Sequence, residues 1–132
     1  MLLDVLAQNT ALDALYGPGR AAGTPASFEV ALFAGHPAAG GVEVPALTAS
    51  EENGYARALL DNDSWPAADG GVKSVSVAFE TWDAWPVTVT HWALVDPVGG
   101  AVWNVQRLTK PLDVTGSGTG PTVALSIFFN ND

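Results

Sequence analysis

The sequence contains no cysteine and few charged residues. Without cysteine there can be no disulfide framework, no thiolate-ligated zinc or iron–sulfur site and no thiol nucleophile. Charged residues make up 14% of the chain and hydrophobic residues 48%, whereas an average soluble domain is about 25% charged. A small domain has much surface per residue, so part of this surface must be apolar or small and polar. Partners commonly cover such surface, and we therefore expect contacts between subunits.

Basic residues are scarcer than acidic ones. The chain has 5 Lys and Arg against 14 Asp and Glu, a formal net charge of −9. The bases stand singly along the chain, at Arg20, Arg57, Lys73, Arg107 and Lys110. Nucleic-acid binding needs clustered basic residues, so we expect no nucleic-acid partner.

Long apolar runs are also missing. No run reaches the ~18–20 residues of a membrane helix, which predicts no membrane association. Asp4 stands where a signal peptide would carry positive charge. We therefore expect a soluble protein made without an export signal.

The 132 residues predict a single domain, 1–132, with an N-terminal helix over residues 1–17. Apolar residues recur there at three- and four-residue spacing and form one stripe: Leu2, Val5, Leu6, Leu12, Leu15 and Tyr16. Gly17-Pro18-Gly19 predicts the end of the helix. Such a helix cannot bury its stripe alone, so we expect it to cover a sheet opening or to pack against a neighbouring subunit.

Residues 26–130 read as strands separated by turn clusters. Six strands are predicted, with a seventh if Leu112–Thr115 pairs: Ser27–Ala34, Tyr55–Leu60, Val72–Phe79, Pro86–Val95, Ala101–Gln106 and Thr122–Phe129. The stretch His36–Ser50 is rich in Ala, Gly and Pro and is interpreted as a long connection or a projecting loop. With no helical segment between strands, the pattern predicts a mainly β protein, an antiparallel β-sandwich of jelly-roll or immunoglobulin-like type.

Aromatic residues crowd around the central strands and are predicted to form much of the core. The candidates are Tyr55, Phe79, Trp85, Trp92 and Trp103, each able to bury roughly 150–250 Å². His91 lies mid-strand and is interpreted as a structural residue hydrogen-bonded inside the sheet. Trp82 stands in an apparent loop and is the candidate for an exposed interface anchor.

No pattern of catalytic, metal-binding or cofactor-binding residues stands out. Asp61-Asn62-Asp63 lacks the later ligands of a calcium loop, and Gly116-Ser117-Gly118-Thr119-Gly120 lacks the Lys-Ser/Thr of a phosphate loop. The chain has no Gly-x-Ser-x-Gly elbow. We expect no enzyme activity, no metal and no cofactor.

One segment is more specific. Residues 85–96 read Trp-Pro-Val-Thr-Val-Thr-His-Trp-Ala-Leu-Val-Asp and precede Gly99-Gly100. This segment resembles the Trp-Gly-Thr-Val-Thr-His-aromatic-Ala-Leu/Ile core, acidic turn and Gly-Gly hairpin of tailed-phage virion proteins usually labelled phage tail fibre proteins. Further segments resemble the same family in the same order: Ala14-Leu15-Tyr16-Gly17, Gly54-Tyr55-Ala56-Arg57, Trp65-Pro66-Ala67-Ala68, Gly70-Gly71 with Lys73, and Val75–Phe79.

The chain departs from that pattern in three places. Pro86 stands where Gly is usual, Leu108-Thr109-Lys110-Pro111 reverses the expected order of Pro and Lys, and residues 36–50 match nothing distinctive.

The resemblance implies a non-enzymatic virion component, made in the cytoplasm of the bacterial host, on the tail or as a capsid decoration. Its expected partners are further copies of itself, with a trimer preferred by analogy, and other virion proteins of the tail or capsid. We nominate as interface residues Leu12, Leu15, His36, Trp82, Phe128 and Phe129. The alternative is a carbohydrate- or receptor-binding module whose exposed Trp rings stack on sugars.

Overall fold

The computed structural model describes residues 5–44, 55–79, 81, 84–115 and 121–128. Helix α1 spans Val5–Leu15 and is followed by seven strands. The strands are β1 Ser27–Ala34, β2 Val42–Glu43, β3 Ala58–Asp61, β4 Val72–Ala78, β5 Val89–Val95, β6 Val102–Leu112 and β7 Thr122–Phe128. Two 3-10 helices lie at Pro37–Ala39 and Asn62–Ser64.

The strands form two antiparallel sheets of unequal size. The larger sheet has the order β2-β1-β5-β6, and β3 pairs with β1 on the side that β2 also occupies. The smaller sheet consists of β4 and β7 alone. The two sheets pack face to face as a sandwich, which confirms the predicted mainly β architecture with one N-terminal helix.

Alternation along the strands builds the core between the sheets. Phe28, Val30 and Leu32 of β1 point inward and are fully buried. From the smaller sheet, the inward side chains are those of Lys73, Val75 and Val77 on β4, opposite Ile127, Leu125 and Val123 on β7. On these three strands the inward face is therefore apolar with a single exception, the buried lysine.

The observed elements differ from the predicted ones in the connection after β1. Residues 36–50 were expected to lack strand structure, yet Val42 and Glu43 pair with Ala34 and Phe33. His36 begins the first 3-10 helix, and its ring nitrogen accepts the Ala38 amide at 3.0 Å. Residues 45–50 lie outside the described part of the chain. The strand that adds to the six predicted ones is β2. Strand β6 extends through Leu112.

The end of helix α1 follows the expected chemistry. Gly17 adopts a positive φ of 106°, a conformation that glycine takes without steric cost. The Ala21 amide then donates to the Ala14 carbonyl at 2.7 Å. This turn directs the chain back towards the first strand.

Candidate interaction surfaces

Helix α1 is attached to the sandwich through polar side chains. The Asp13 carboxylate accepts the Ala68 amide at 2.9 Å and pairs with the Lys73 ammonium at 2.5 Å. One turn earlier, the Asn9 side chain accepts the Gly71 amide at 2.9 Å. Lys73 is 2% exposed, so this carboxylate neutralises a buried charge. The hydrogen bonds from Lys73 and Ala68 lower the pKa of Asp13 below its usual value.

A buried amide fixes the turn after the helix. Asn62 is fully buried, and its carbonyl oxygen accepts the Gly17 amide at 3.2 Å. Its amino group donates to the Leu15 carbonyl at 3.3 Å and the Pro25 carbonyl at 2.8 Å. One side chain from the loop after β3 thus connects the helix end to the start of β1. The neighbouring Asp61 caps the 3-10 helix by accepting the Asp63 amide, and Asp63 pairs with Arg20.

The helix buries only part of the apolar stripe that its sequence predicts. Leu12 and Tyr16 are each 2% exposed, whereas Val5, Leu6 and Leu15 are 51%, 76% and 36% exposed. The polar contacts of Asn9 and Asp13 rotate the helix so that part of the stripe faces solvent. Leu12 is therefore unavailable to another subunit, which corrects its nomination as an interface residue. Leu15 keeps an exposed face.

A second polar cluster holds the β2 end of the larger sheet. The Tyr55 hydroxyl donates to Glu43 at 2.6 Å and accepts the Leu32 amide at 3.1 Å. Arg57 makes a two-pronged contact with the same carboxylate at 2.8 and 2.9 Å. Burial opposes ionisation of Glu43, but the hydrogen bonds from Arg57 and Tyr55 prevail and lower its pKa. Burial and the bond to Glu43 raise the pKa of Tyr55.

The two histidines lie against each other. The His36 and His91 rings are 5.6 Å apart between centroids and meet edge to face. His91 pairs with Phe33 and Arg107 on the neighbouring strands, so it lies on the outer face of the larger sheet and is half-buried. It was expected to be hydrogen-bonded inside the sheet. Its Nδ1 does lie 2.8 Å from the Thr90 hydroxyl, but its position is corrected here, because the alternation that turns Trp92 inward turns His91 outward. Desolvation, then His36 and Arg107, lower the pKa of His91.

Most of the described tryptophans are buried. Trp65, Trp85 and Trp92 are 1%, 5% and 1% exposed, so their rings offer no open platform for a sugar. Tyr55 and Phe79 are also buried and stack on each other at 6.3 Å beside Trp85.

Trp103 departs from its prediction as a core residue, since it is 37% exposed. It stands at an irregularity in the β5–β6 ladder on the last strand of the sheet, where no further strand among the described residues covers it. Its ring still contacts Phe28 edge to face at 6.2 Å. Trp82 lies outside the described residues.

The two edges of the larger sheet carry exposed side chains of opposite charge, and each edge is named here after those charges. The basic edge is β6, which carries exposed Arg107 and Lys110. The acidic edge is β3 with the 3-10 helix after it, which carries exposed Asp61 and Asp63. Apolar side chains accompany both edges. Leu59 on β3 is 73% exposed and Val102 on β6 is 55% exposed.

The terminal strand leaves a groove beside β6. A cavity of about 170 Å³ lies between β6 and β7, lined by Leu108, Thr109, Lys110, Leu112, Thr122, Val123 and Ala124. The two-stranded sheet is too narrow to close the sandwich on this side. Phe128 ends β7 opposite Val72, and Phe129 lies outside the described residues.

Within the described ranges, no three His, Asp or Glu side chains gather closely enough to hold a metal ion. Among those same residues, no helix is long and apolar enough to cross a membrane.

The segments that resemble the fibre proteins converge in this structure. Tyr16-Gly17, Trp65-Pro66 and Lys73 meet where helix α1 docks, with the Tyr16 and Trp65 rings 5.6 Å apart. The Tyr55-Ala56-Arg57 segment meets Trp85 in the second cluster, with the Tyr55 and Trp85 rings 5.4 Å apart. The resemblance therefore rests on residues that hold the domain together.

Comparison with known proteins identifies a family for this chain. No curated protein and no solved structure matches the chain significantly. The family described as Podophage GP4 fiber I protein gp80 matches residues 3–125, which is nearly the whole chain. The chain therefore belongs to this family of phage fibre proteins.

Proposed function

We propose that the protein is a structural component of the virion exterior that works without catalysis, by binding copies of itself and other fibre or tail proteins. The family match over residues 3–125 is the observation that carries the proposal. The clusters of polar side chains agree with it, because each is occupied by contacts that fix the fold. Asp13 and Lys73 pair with each other, and Glu43 holds Tyr55 and Arg57.

The exposed apolar side chains support assembly as the mode of action. They lie on the helix, on the larger sheet, at the start of β4 and in a turn, and the largest exposures are those of Leu6, Leu59 and Val98. Together with 14% charged residues, they leave areas with the low charge of interface cores. A trimer is the proposed state, by analogy with other phage fibres.

Phage particles grown with and without the gene test this function. Mass spectrometry of gradient-purified particles is expected to find the chain at a fixed ratio to the major structural proteins. Particles grown without the gene are expected to lose adsorption to the host. Gradient-purified particles that lack the chain, from cells that express it, would falsify the proposal.

The C-terminal strand provides a finer test within the same particles. Phe128 and Phe129 are adjacent, so on a continuing strand they would point to opposite sides. We expect one of the substitutions Phe128→Ser and Phe129→Ser to leave the domain folded, by circular dichroism, while the chain disappears from particles. Retention of both folded variants at the wild-type ratio would exclude this strand as a contact.

A further inference from the structure

The basic edge of the larger sheet is an unpaired strand with unusual exposure. Strand β6 spans Val102–Leu112, 11 residues, and none of them is buried. In the described part of the chain it pairs with β5 alone, so its other side presents free backbone donors and acceptors. Such an edge is a template for a strand of another chain.

The charges on this edge have no acidic partner in the described ranges. The ion pairs found there use Arg20, Arg57 and Lys73, whereas Arg107 and Lys110 make none. These two residues are 2 of the 5 bases in a chain with 14 acids. A partner that suits this edge must be acidic, and a second copy of this chain is acidic over most of its length.

The opposite side of the same sheet offers a complementary edge. Strand β3 pairs with β1 alone within the described residues, and Leu59 on it is 73% exposed. Asp61 and Asp63 follow at its end, and only Asp63 has a basic partner there, Arg20. The acidic edge thus combines free backbone groups, an apolar side chain and a carboxylate, that of Asp61, without a basic partner in the described residues.

We propose that the basic edge of one copy pairs with the acidic edge of the next, so that the larger sheets join head to tail into a closed ring. This inference rests on the proposed oligomeric function and names the surface for it. Charge complementarity selects the arrangement, because pairing β6 with β6 of another copy would bring Arg107 and Lys110 against the same cations. A head-to-tail contact closes into a ring when its rotation fits a cyclic symmetry.

Features of β6 limit where this pairing can occur. The ladder with β5 is irregular at Trp103 and again between Arg107 and Leu112, a stretch that contains Lys110 and also Pro111, which has no amide hydrogen. Residues 104–107 remain in regular register between the two irregularities. This is enough for β3, which contributes Ala58–Asp61, 4 residues.

Sedimentation of the full chain with paired charge variants tests the ring. The double variant Arg107→Gln and Lys110→Gln removes two positive charges from the basic edge. The control, Ser76→Glu and Ala78→Glu, adds two negative charges on exposed positions of β4, so both variants have the same net charge. We expect the edge variant to weaken association by about tenfold or more, and the control to stay within about twofold of wild type.

A rescue variant separates specific pairing from general repulsion. Arg107→Glu and Lys110→Glu make the basic edge acidic, and Leu59→Lys with Ser64→Lys add two positive charges to the acidic edge. Both lysines replace exposed residues. We expect either pair alone to give folded monomers and all four substitutions together to restore the oligomer.

Other outcomes overturn the inference. Edge pairing is refuted if the wild-type chain stays monomeric at high concentration. It is also refuted if the edge variant associates like wild type, or if the folded quadruple variant stays monomeric. Such a result with the chain still present in particles leaves its proposed role as a virion component standing. Absence from particles refutes that function instead.

Discussion

Single side chains carry the attachment of the helix to the sandwich. Asn62 makes three hydrogen bonds, to Gly17, Leu15 and Pro25, from a fully buried position. Its sequence context suggests only a turn, or a calcium loop that lacks its later ligands. The buried role depends on where the loop after β3 meets the helix, which local patterns do not encode.

Replacing Asn62 with alanine should leave one amide and two carbonyls without partners. Because buried unsatisfied groups are costly, we expect the free energy of unfolding to fall by about 2–4 kcal/mol in urea denaturation. Ser64→Ala changes an exposed residue of the same 3-10 helix and should stay within about 0.5 kcal/mol of wild type. Equal stability of the two variants would contradict the assigned role of Asn62.

Desolvation of His91, with the nearby His36 and Arg107, lowers its pKa and makes stability depend on pH. The lowered pKa of His91 means that the unfolded chain, whose histidines titrate near about 6.5, binds this proton more readily than the folded protein does. Stability should therefore be full above the unfolded pKa and decline as the pH falls below it. The pKa values of Asp13 and Glu43 are also lowered. Their contributions to stability are lost only in the more acidic range where carboxylates titrate.

Urea denaturation between about pH 7.5 and 5.5 isolates the histidine contribution. We expect wild-type stability to fall over this interval and His91→Gln to flatten the fall. His36→Asn removes the neighbouring ring but keeps a side chain that can cap the 3-10 helix, and it should flatten the fall in part. An identical decline in wild type and His91→Gln would contradict the account.

At the scale of elements, alternation and turn chemistry predict most of the fold. The limits of β1 agree with its prediction, because Phe28, Val30 and Leu32 alternate between clear turn signals. Strand β2 is missed because two residues in a stretch rich in Ala, Gly and Pro carry no period. The long-range ladder with β1, rather than local sequence, makes that segment a strand.

A stripe of apolar residues does not by itself determine how helix α1 is oriented on the sandwich. Hydrophobic spacing places Leu12 and Leu15 on one face, yet the polar contacts of Asn9 and Asp13 bury Leu12 and expose Leu15. The edge position of Trp103 is missed for a related reason, since strand order is not visible in one strand's sequence.

Leu12 and Leu15 form a matched pair for testing the helix. Leu12→Ala should cost about 2–5 kcal/mol of unfolding free energy, because Leu12 is buried. Leu15→Ala, at a position 36% exposed, should cost clearly less. Thermal or urea unfolding of both variants checks the difference, and equal costs would show that α1 docks in another orientation.

For the whole molecule, the unequal sheets are the feature that matters for function. A sandwich of five strands over two leaves the edge of β6 and the groove beside β7 open. Membership of a phage fibre family and these open edges together support the proposal that the protein is built into a larger assembly.

A cryo-electron microscopy map of the phage particle tests the central claim most directly. The account predicts density on the particle exterior that fits this sandwich of five and two strands, in symmetric copies that contact each other and neighbouring fibre or tail proteins. A map with all exterior density assigned to other chains, and no place for this fold, would contradict it.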